Sequence, residues 1–182
     1  MPWLSAGDRI LDVGCGSGAL GRMIMEAAFC PADVKVIGLE IIRQRNAQIP
    51  VHYYDGGNIP FPDHSFEVVI LADVLHHVTY PHRLIDECIR VANRYLIIKD
   101  HKLDGFCAKF RISVMDWLSN IPYGIPCIYC YNRLQDWHRW YDYHGLVTVF
   151  EKYSVNFYSP IINFLLGGRI QYFAVLRAVQ RE

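Results

Sequence analysis

Blocks of positive charge, long apolar runs and a regular cysteine framework are all missing from this sequence of 182 residues. Lysine and arginine together number 18, and so do aspartate and glutamate, with no block of basic residues. The electrostatic footprint that nucleic acid or an anionic membrane surface requires is therefore absent. We predict that the chain has no nucleic-acid partner and acts on a small or neutral molecule.

Signals for export and membrane insertion are also missing. The longest apolar segment, 161–166, is far shorter than the roughly 20 residues of a membrane span. Residues 1–8 lack the basic start and apolar run of a signal peptide. The six cysteines are scattered, as in reduced proteins, and the lone Cys127-x-x-Cys130 pair is weak support for a metal or redox site. The sequence therefore predicts a cytoplasmic protein with no membrane span and no metal.

Short apolar runs alternate with helical patterns through the first hundred residues. Strands are expected at 9–13, 34–39, 50–54, 66–71 and 95–98, with helices at 18–29 and 81–92. The segment 41–50 has room for only a turn or two of helix. This alternation predicts an α/β fold with a parallel sheet and helices on both faces.

The second half has a different pattern. Helices are expected at 104–119, with Phe106, Phe110, Val114 and Trp117 facing inward, and from the cap Asn132, paired with Gln135, to His144. Strands at 147–157 and 170–179 follow with no helix between them, so we expect an antiparallel hairpin that closes a seven-stranded, mostly parallel sheet.

A glycine-rich loop joins the first strand to the first helix. Gly14, Gly16 and Gly18 allow a sharp turn and close approach of a ligand, and open α/β sheets bind ligands at this edge. Glu40 ends the second strand, where a carboxylate can accept both hydroxyls of a ribose. These features predict nucleoside binding, but Gly14-x-Gly16-x-x-Ala19 with Glu40 also fits an NAD(P)-dependent oxidoreductase.

The block from Asp55 to Ile70 separates the two alternatives. Asp55-Gly-Gly-Asn-Ile-Pro-Phe and Ser65-Phe-Glu-Val-Val, followed by Leu71-Ala-Asp-Val-Leu-His-His-Val78, resemble the class I S-adenosylmethionine-dependent methyltransferases. The resemblance covers about residues 7–101. It implies a Rossmann-like, doubly wound domain over 1–182, with a cofactor-binding half at 7–101 and a substrate-side half at 102–182.

The resemblance also implies roles for the matched residues. Asp12 would help place the methionine ammonium, the three loop glycines would approach the methionine and ribose, and Glu40 would hold the ribose hydroxyls. Ile41 would pack on the adenine, and Asp55 would accept a hydrogen bond from the adenine amino group, with Gly56 beside it. The backbone at Leu71 and Ala72 would line the sulfonium end. S-adenosylmethionine carries no phosphate, which agrees with the absence of lysine and arginine from the loop.

The substrate side is less specific. His77 and His101 follow the fourth and fifth strands and are candidate catalytic bases, whereas Asp73 and Asp100 are expected to make structural hydrogen bonds. The aromatic residues between 106 and 143 predict either an apolar or aromatic substrate pocket, with Tyr123 as a binding residue, or ordinary core packing.

Completeness and assembly stay open. Many relatives carry one or two covering helices before the first strand, and this chain begins only a few residues ahead of it. A partner subunit, a homo-oligomer and a non-catalytic cofactor-binding subunit are therefore alternatives that the sequence allows.

Overall fold

One mixed sheet of seven strands organises the protein. The computed structural model describes residues 2–104, 107–120, 131–154 and 170–178. Five strands are parallel and occupy the first half of the chain: β1 Arg9–Val13, β2 Lys35–Glu40, β3 Val51–Tyr53, β4 Phe66–Ala72 and β5 Ala92–His101. The strand β7 (Gln171–Ala178) lies antiparallel between β5 and β6 (Leu146–Lys152).

The strand order β3-β2-β1-β4-β5-β7-β6 confirms the predicted doubly wound α/β class with its C-terminal antiparallel hairpin. Reversal of the strand order beside β1 places the ends of β1, β2 and β4 around one crevice, which is where this architecture binds ligands. The two halves of the chain share the sheet, since β7 pairs with β5 along six residues.

Four α-helices accompany the strands in the described residues. They are α1 Ala19–Glu26, α2 Pro81–Val91, α3 Ala108–Asn120 and α4 Leu134–His144, and a short 3₁₀ helix spans Leu75–His77. None of these described helices is both long and apolar enough to cross a membrane. Gly145 ends α4 with a positive φ of 65°, as a left-handed C-cap does.

The sheet buries apolar side chains on both faces. Residues of alternate parity point to opposite sides of each strand. One face packs against α2 and α4 and includes Leu11, Val69, Ile98, Trp137 and Tyr172. The other face packs against α1 and includes Ile10, Ile24, Val36, Ile70 and Ile97.

Several predicted boundaries were wrong. β5 is ten residues long, because Asp100 and His101 continue the ladder opposite Tyr172 and Gln171 of β7. The helix α2 leads directly into β5 at Ala92, and segment 41–50 contains no helix.

Two predictions about the second half also fail. Phe110 and Trp117 do not face inward: they are 71% and 52% exposed, while Ala108 and Ile112 supply the buried face of α3. The cap of α4 lies one residue later than expected. Asp136 accepts the backbone N–H of Arg133 at 3.0 Å and donates its own N–H to the Arg133 carbonyl.

Candidate active site

The glycine loop is held in a left-handed conformation at every one of its glycines. Gly14, Gly16 and Gly18 have φ values of 68°, 52° and 75°, a region that residues with a Cβ enter at a cost. A Cβ on Gly14 would lie 2.6 Å from the Cγ2 of Val74, whereas one on Gly16 would meet no atom within 4 Å. Gly14 is therefore required for packing, and Gly16 faces open space that a ligand can fill.

The carboxylate of Glu40 holds this loop in place through hydrogen bonds. Its Oε2 accepts the N–H of Gly16 at 2.8 Å, and its Oε1 accepts the N–H groups of Ile41 and Ile42 at 2.7 and 3.2 Å. A carboxylate offers about four acceptor positions, so capacity remains for a ribose hydroxyl. The same contacts fix where that hydroxyl can lie, between the loop and the end of β2.

Asp12 is a second buried acid near the loop. It is 2% exposed, and its Oδ2 has no hydrogen-bond partner in the described part of the chain. Burial, followed by the charge of Glu40, raises the pKa of Asp12 to about 7. An unpaired acid of this kind would be stabilised by a nearby cation, as the ammonium and sulfonium of S-adenosylmethionine would provide.

A cavity of about 450 Å³ opens beside Glu40 and the glycine loop, within the size range of small-molecule sites. Of the residues predicted to bind cofactor, Gly14, Gly16, Glu40, Ile41 and Gly56 line it. Other lining residues include Leu39, Gln44, Tyr54, Gly57, Asp73, Val74, His77, Thr79 and Arg83.

The remaining predicted cofactor residues do not line the cavity. Asp12 is buried in β1 beneath the loop, Gly18 is the N-cap of α1, and Leu71 is buried near the end of β4. Asp55 is exposed, and its Oδ1 accepts the N–H of Gly57 at 2.8 Å, which shapes the turn that brings Gly56 to the wall. Ala72 lies in a neighbouring groove.

Tyr54 is a wall residue that sequence reasoning missed. Burial raises the pKa of Tyr54 to about 12, so the phenol is neutral at physiological pH and can donate a hydrogen bond. Its position directly before Asp55 was the only signal in the sequence.

The two candidate bases lie in different surroundings. His77 lines the cofactor cavity, with its ring centroid 3.9 Å from that of His76. His101 is 6% exposed and does not line the cavity. Its ring lies 5.1 Å from that of His76, so the histidines form one cluster at the ends of β4 and β5.

Asp100 is the centre of this cluster. Its Oδ1 contacts the Nδ1 of His76 and the N–H of His101, both at 2.6 Å, and its Oδ2 accepts the N–H of Leu75 at 3.1 Å. Burial alone would raise the pKa of Asp100, but the two histidines outweigh it and hold that pKa well below its usual range.

His76, Asp100 and His101 also come close enough to hold a metal ion, with their ligand atoms within 4.8 Å of one another. Both Asp100 oxygens already receive N–H donors, which accounts for the cluster by hydrogen bonding. The expected absence of a metal stays a prediction.

Asp73 joins the cavity to this cluster. It has a positive φ of 56° directly after β4, its Oδ2 pairs with the Nζ of Lys99, and its Oδ1 lies 3.6 Å from the Nδ1 of His101. Asp73 was expected from the sequence to make structural hydrogen bonds, and its place in the cavity wall was not predicted.

An apolar groove of about 680 Å³ adjoins Asp73 on the α1 face of the sheet. Its charged lining residues are Asp73 and Lys99, at one end. The apolar wall is formed by Trp3, Leu4, Ile10, Leu20, Ile24, Ile70, Ala72, Ile97 and Phe173.

Two of the aromatic residues between 106 and 143 lie in the core. Trp137 and Tyr141 are 2% exposed and belong to the core beneath the sheet, which agrees with the alternative of ordinary packing. Tyr123 and the pair Cys127 and Cys130 lie outside the described residues.

Comparison with known proteins decides between the two cofactor classes. Residues 11–95 match a family described as a methyltransferase domain, and this stretch contains the loop, Glu40 and the block after Asp55. This match supports a class I S-adenosylmethionine-dependent methyltransferase domain in the first half of the chain. S-adenosylmethionine is the cofactor that this similarity implies.

Two relatives illustrate the similarity in sequence. A 27-O-demethylrifamycin SV methyltransferase of Amycolatopsis mediterranei is 32% identical over 101 residues, 48% of this chain and 36% of that protein. A demethylmenaquinone methyltransferase of Symbiobacterium thermophilum is 35% identical over 132 residues, 64% of this chain and 51% of that protein. The chain thus spans about a third to a half of the length of the curated relatives it matches.

Solved structures show the same fold. The protein superposes on a Haloferax volcanii methyltransferase bound to the activator Trm112 with a TM-score of 0.70, at 13% identity, covering 98% of this chain and 85% of that one. A SAM-dependent methyltransferase from Aquifex aeolicus gives 0.63 at 18% identity, covering 97% and 85%. At these identities the likeness concerns the fold alone.

Proposed function

We propose that this protein transfers the methyl group of S-adenosylmethionine to a small apolar or aromatic molecule. The observation that carries the proposal is the pair of acids at the glycine loop: Asp12 is buried, with its Oδ2 unpartnered among the described residues, and Glu40 holds Gly16. A cationic cofactor would relieve the cost of burying this negative charge, whereas the pyrophosphate of NAD(P) would add to it.

In this proposal the cofactor extends along the cavity from the loop to β3. Glu40 would bind the ribose hydroxyls, Ile41 would pack on the adenine, and the turn at Asp55 and Gly56 would face its amino group. Leu71 and Ala72 would border the sulfonium, which supplies the methyl group. The backbone of Gly16 would be within reach of the ligand, because no atom fills the space beside it.

The apolar groove supports the choice of acceptor. It meets the cofactor cavity at Asp73, so an apolar body in the groove would present its polar end near the methyl group. Alignment of the acceptor with the methyl group would supply much of the rate. His77 and His101 stay proposed participants in proton transfer, and a cytoplasmic location stays a prediction.

A second candidate function is a cofactor-binding subunit that works with another chain. This alternative is supported by the structurally similar methyltransferase that was solved in complex with an activator protein. Methylation that occurs only when a copurified partner is added would support it.

Calorimetric titration with S-adenosylmethionine, S-adenosylhomocysteine and NAD tests the proposal. We expect the two adenosyl compounds to bind and NAD not to bind, with affinity lost in Glu40→Ala and kept in the exposed variant Asp142→Asn. Binding of NAD alone would refute the proposal. Folded protein that binds none of the three would also refute it for the isolated chain.

A further inference from the structure

We propose that Asp73, supported by His101, accepts a proton from the methyl acceptor, and that the acceptor is therefore a neutral hydroxyl compound. This inference rests on the proposed methyl transfer. It names the substrate class and the residue that contacts the reacting group, and it gives Asp73 a role beyond the structural one expected from sequence.

The position of Asp73 is the first argument. Among the described residues, it is the only one that lines both the cofactor cavity and the apolar groove. A methyl group delivered from the cavity to a molecule in the groove must cross the boundary between them. Asp73 stands at that boundary, and its side chain is 41% exposed, so a hydroxyl can reach it.

The backbone of Asp73 is the second argument. A φ of 56° is uncommon for a residue other than glycine, and such conformations persist where the surrounding structure enforces them. Here the N–H of Asp73 donates to the Lys99 carbonyl at 2.7 Å, which extends the β4–β5 pairing by one residue. This turns the carboxylate toward β5 and His101.

Two unsatisfied atoms are the third argument. The Oδ1 of Asp73 and the Nδ1 of His101 are both buried, and neither has a hydrogen-bond partner in the described structure. They lie 3.6 Å apart, slightly too far for a hydrogen bond. A buried polar atom without a partner is costly, and a proton shared between these two atoms would satisfy both.

Charged and polar side chains surround the imidazole of His101. Its Nδ1 faces the carboxylates of Asp73 and Asp100 at 3.6 and 3.7 Å, and its Nε2 lies 3.2 Å from the amide of Gln171. Lys99 pairs with Asp73, and the ring of His76 lies beside the cluster. Of the two carboxylates that face His101, the one that lines the cofactor cavity is that of Asp73.

The reaction step balances with these groups alone. The acceptor O–H donates to the Asp73 carboxylate. The oxygen attacks the methyl carbon, and the new C–O bond forms as the C–S bond breaks. The proton stays with the Asp73–His101 pair, and the products are a methyl ether and S-adenosylhomocysteine. A neutral amine can attack without first losing a proton, so this arrangement specifically suits a hydroxyl.

An acceptor panel tests the substrate class. Wild-type protein shown by calorimetry to bind S-adenosylmethionine is given phenols and naphthols, matched aromatic amines and carbon acceptors, and S-adenosylhomocysteine is measured. We expect turnover of hydroxyl compounds only. Cofactor binding with no hydroxyl compound methylated, or with amines preferred, overturns this inference and leaves the methyltransferase similarity intact. Loss of cofactor binding would instead refute the proposed function.

Variants test the residue. With 2-naphthol at saturating cofactor, Asp73→Asn should lose about 100-fold or more in turnover. A nitro-substituted naphthol that is already ionised should restore most of this loss. Asn tolerates positive φ, and Asp142→Asn, exposed on α4, is the matched control. Equal losses with both naphthols would show that Asp73 acts structurally, contrary to the proposal.

The supporting role of His101 can be measured by NMR in protein that is not turning over substrate. The ring nitrogen chemical shifts of His101 in cofactor-free protein should differ between the wild type and Asp73→Asn, because the Nδ1 of His101 lies 3.6 Å from the Asp73 carboxylate. His101→Gln should shift the rate–pH profile with 2-naphthol and leave the ionised analogue unaffected. Identical ring nitrogen shifts in the two proteins would overturn the pairing.

Discussion

The buried carboxyl of Asp12 should make cofactor binding weaker at low pH than at high pH. Its pKa is raised to about 7 by burial and by Glu40, so Asp12 is neutral in a large fraction of the molecules near neutral pH. A cationic cofactor should prefer the ionised form. With one such group, affinity at pH 6 should be about tenfold weaker than its plateau above pH 8.

The same shift predicts a change in stability. The folded pKa lies about 3 units above the usual value of 3.8, so the folded state binds more protons than the unfolded state between about pH 4 and 7. Stability therefore falls as pH rises through that window. The deficit is complete above pH 7 and amounts to at most about 4 kcal/mol. Asp12→Asn should stabilise the cofactor-free protein at pH 8 by part of this amount.

Calorimetry from pH 5.5 to 8.5, in buffers of different ionisation enthalpy, measures both the affinity and the protons released. The amino group of the cofactor also titrates, so Asp12→Asn supplies the baseline from which the wild-type curve is compared. Identical pH dependences for the two proteins, or a variant that is less stable at pH 8, would refute the electrostatic reasoning about this acid.

Three further changes have expected outcomes. Gly16→Ala should keep the protein folded, with a cost of about 1–2 kcal/mol, and weaken cofactor binding. Gly14→Ala should destabilise it more by clashing with Val74; thermal melts and calorimetry distinguish the two. Asp100→Asn should cost about 3 kcal/mol in denaturant unfolding, since it disturbs three buried N–H contacts. Burial lowers the pKa of His144; the carboxylate of Asp86 opposes this effect, and the charge of His82 adds to it. The free energy of unfolding should therefore fall as pH drops below 6.5. Thermal melts of His144→Gln should lose this dependence.

Local patterns were enough to predict the architecture. The apolar run of β1, the glycines after it and Pro81 at the start of α2 all specify structure through neighbouring residues. Predictions failed where a distant contact decides. The length of β5 depends on β7, some 75 residues later, and the inner face of α3 depends on Ile170, which packs against Ala108 and Ile112.

The candidate site also has a part that local sequence predicts, the cofactor side, and a part that it does not, the acceptor side. The cofactor wall follows strand ends and turns that are readable one at a time, so Glu40 and Gly56 could be placed in advance. The acceptor side depends on register. Ala72 pairs with Lys99 across β4 and β5, and this single alignment sets Asp73 against both Lys99 and His101. A slip of one residue would turn these side chains to opposite faces. Periodicity can show that two polar segments end neighbouring strands, but only the observed register shows that an acid and an imidazole meet at the boundary of the cavity, and the assignment of Asp73 depends on that meeting.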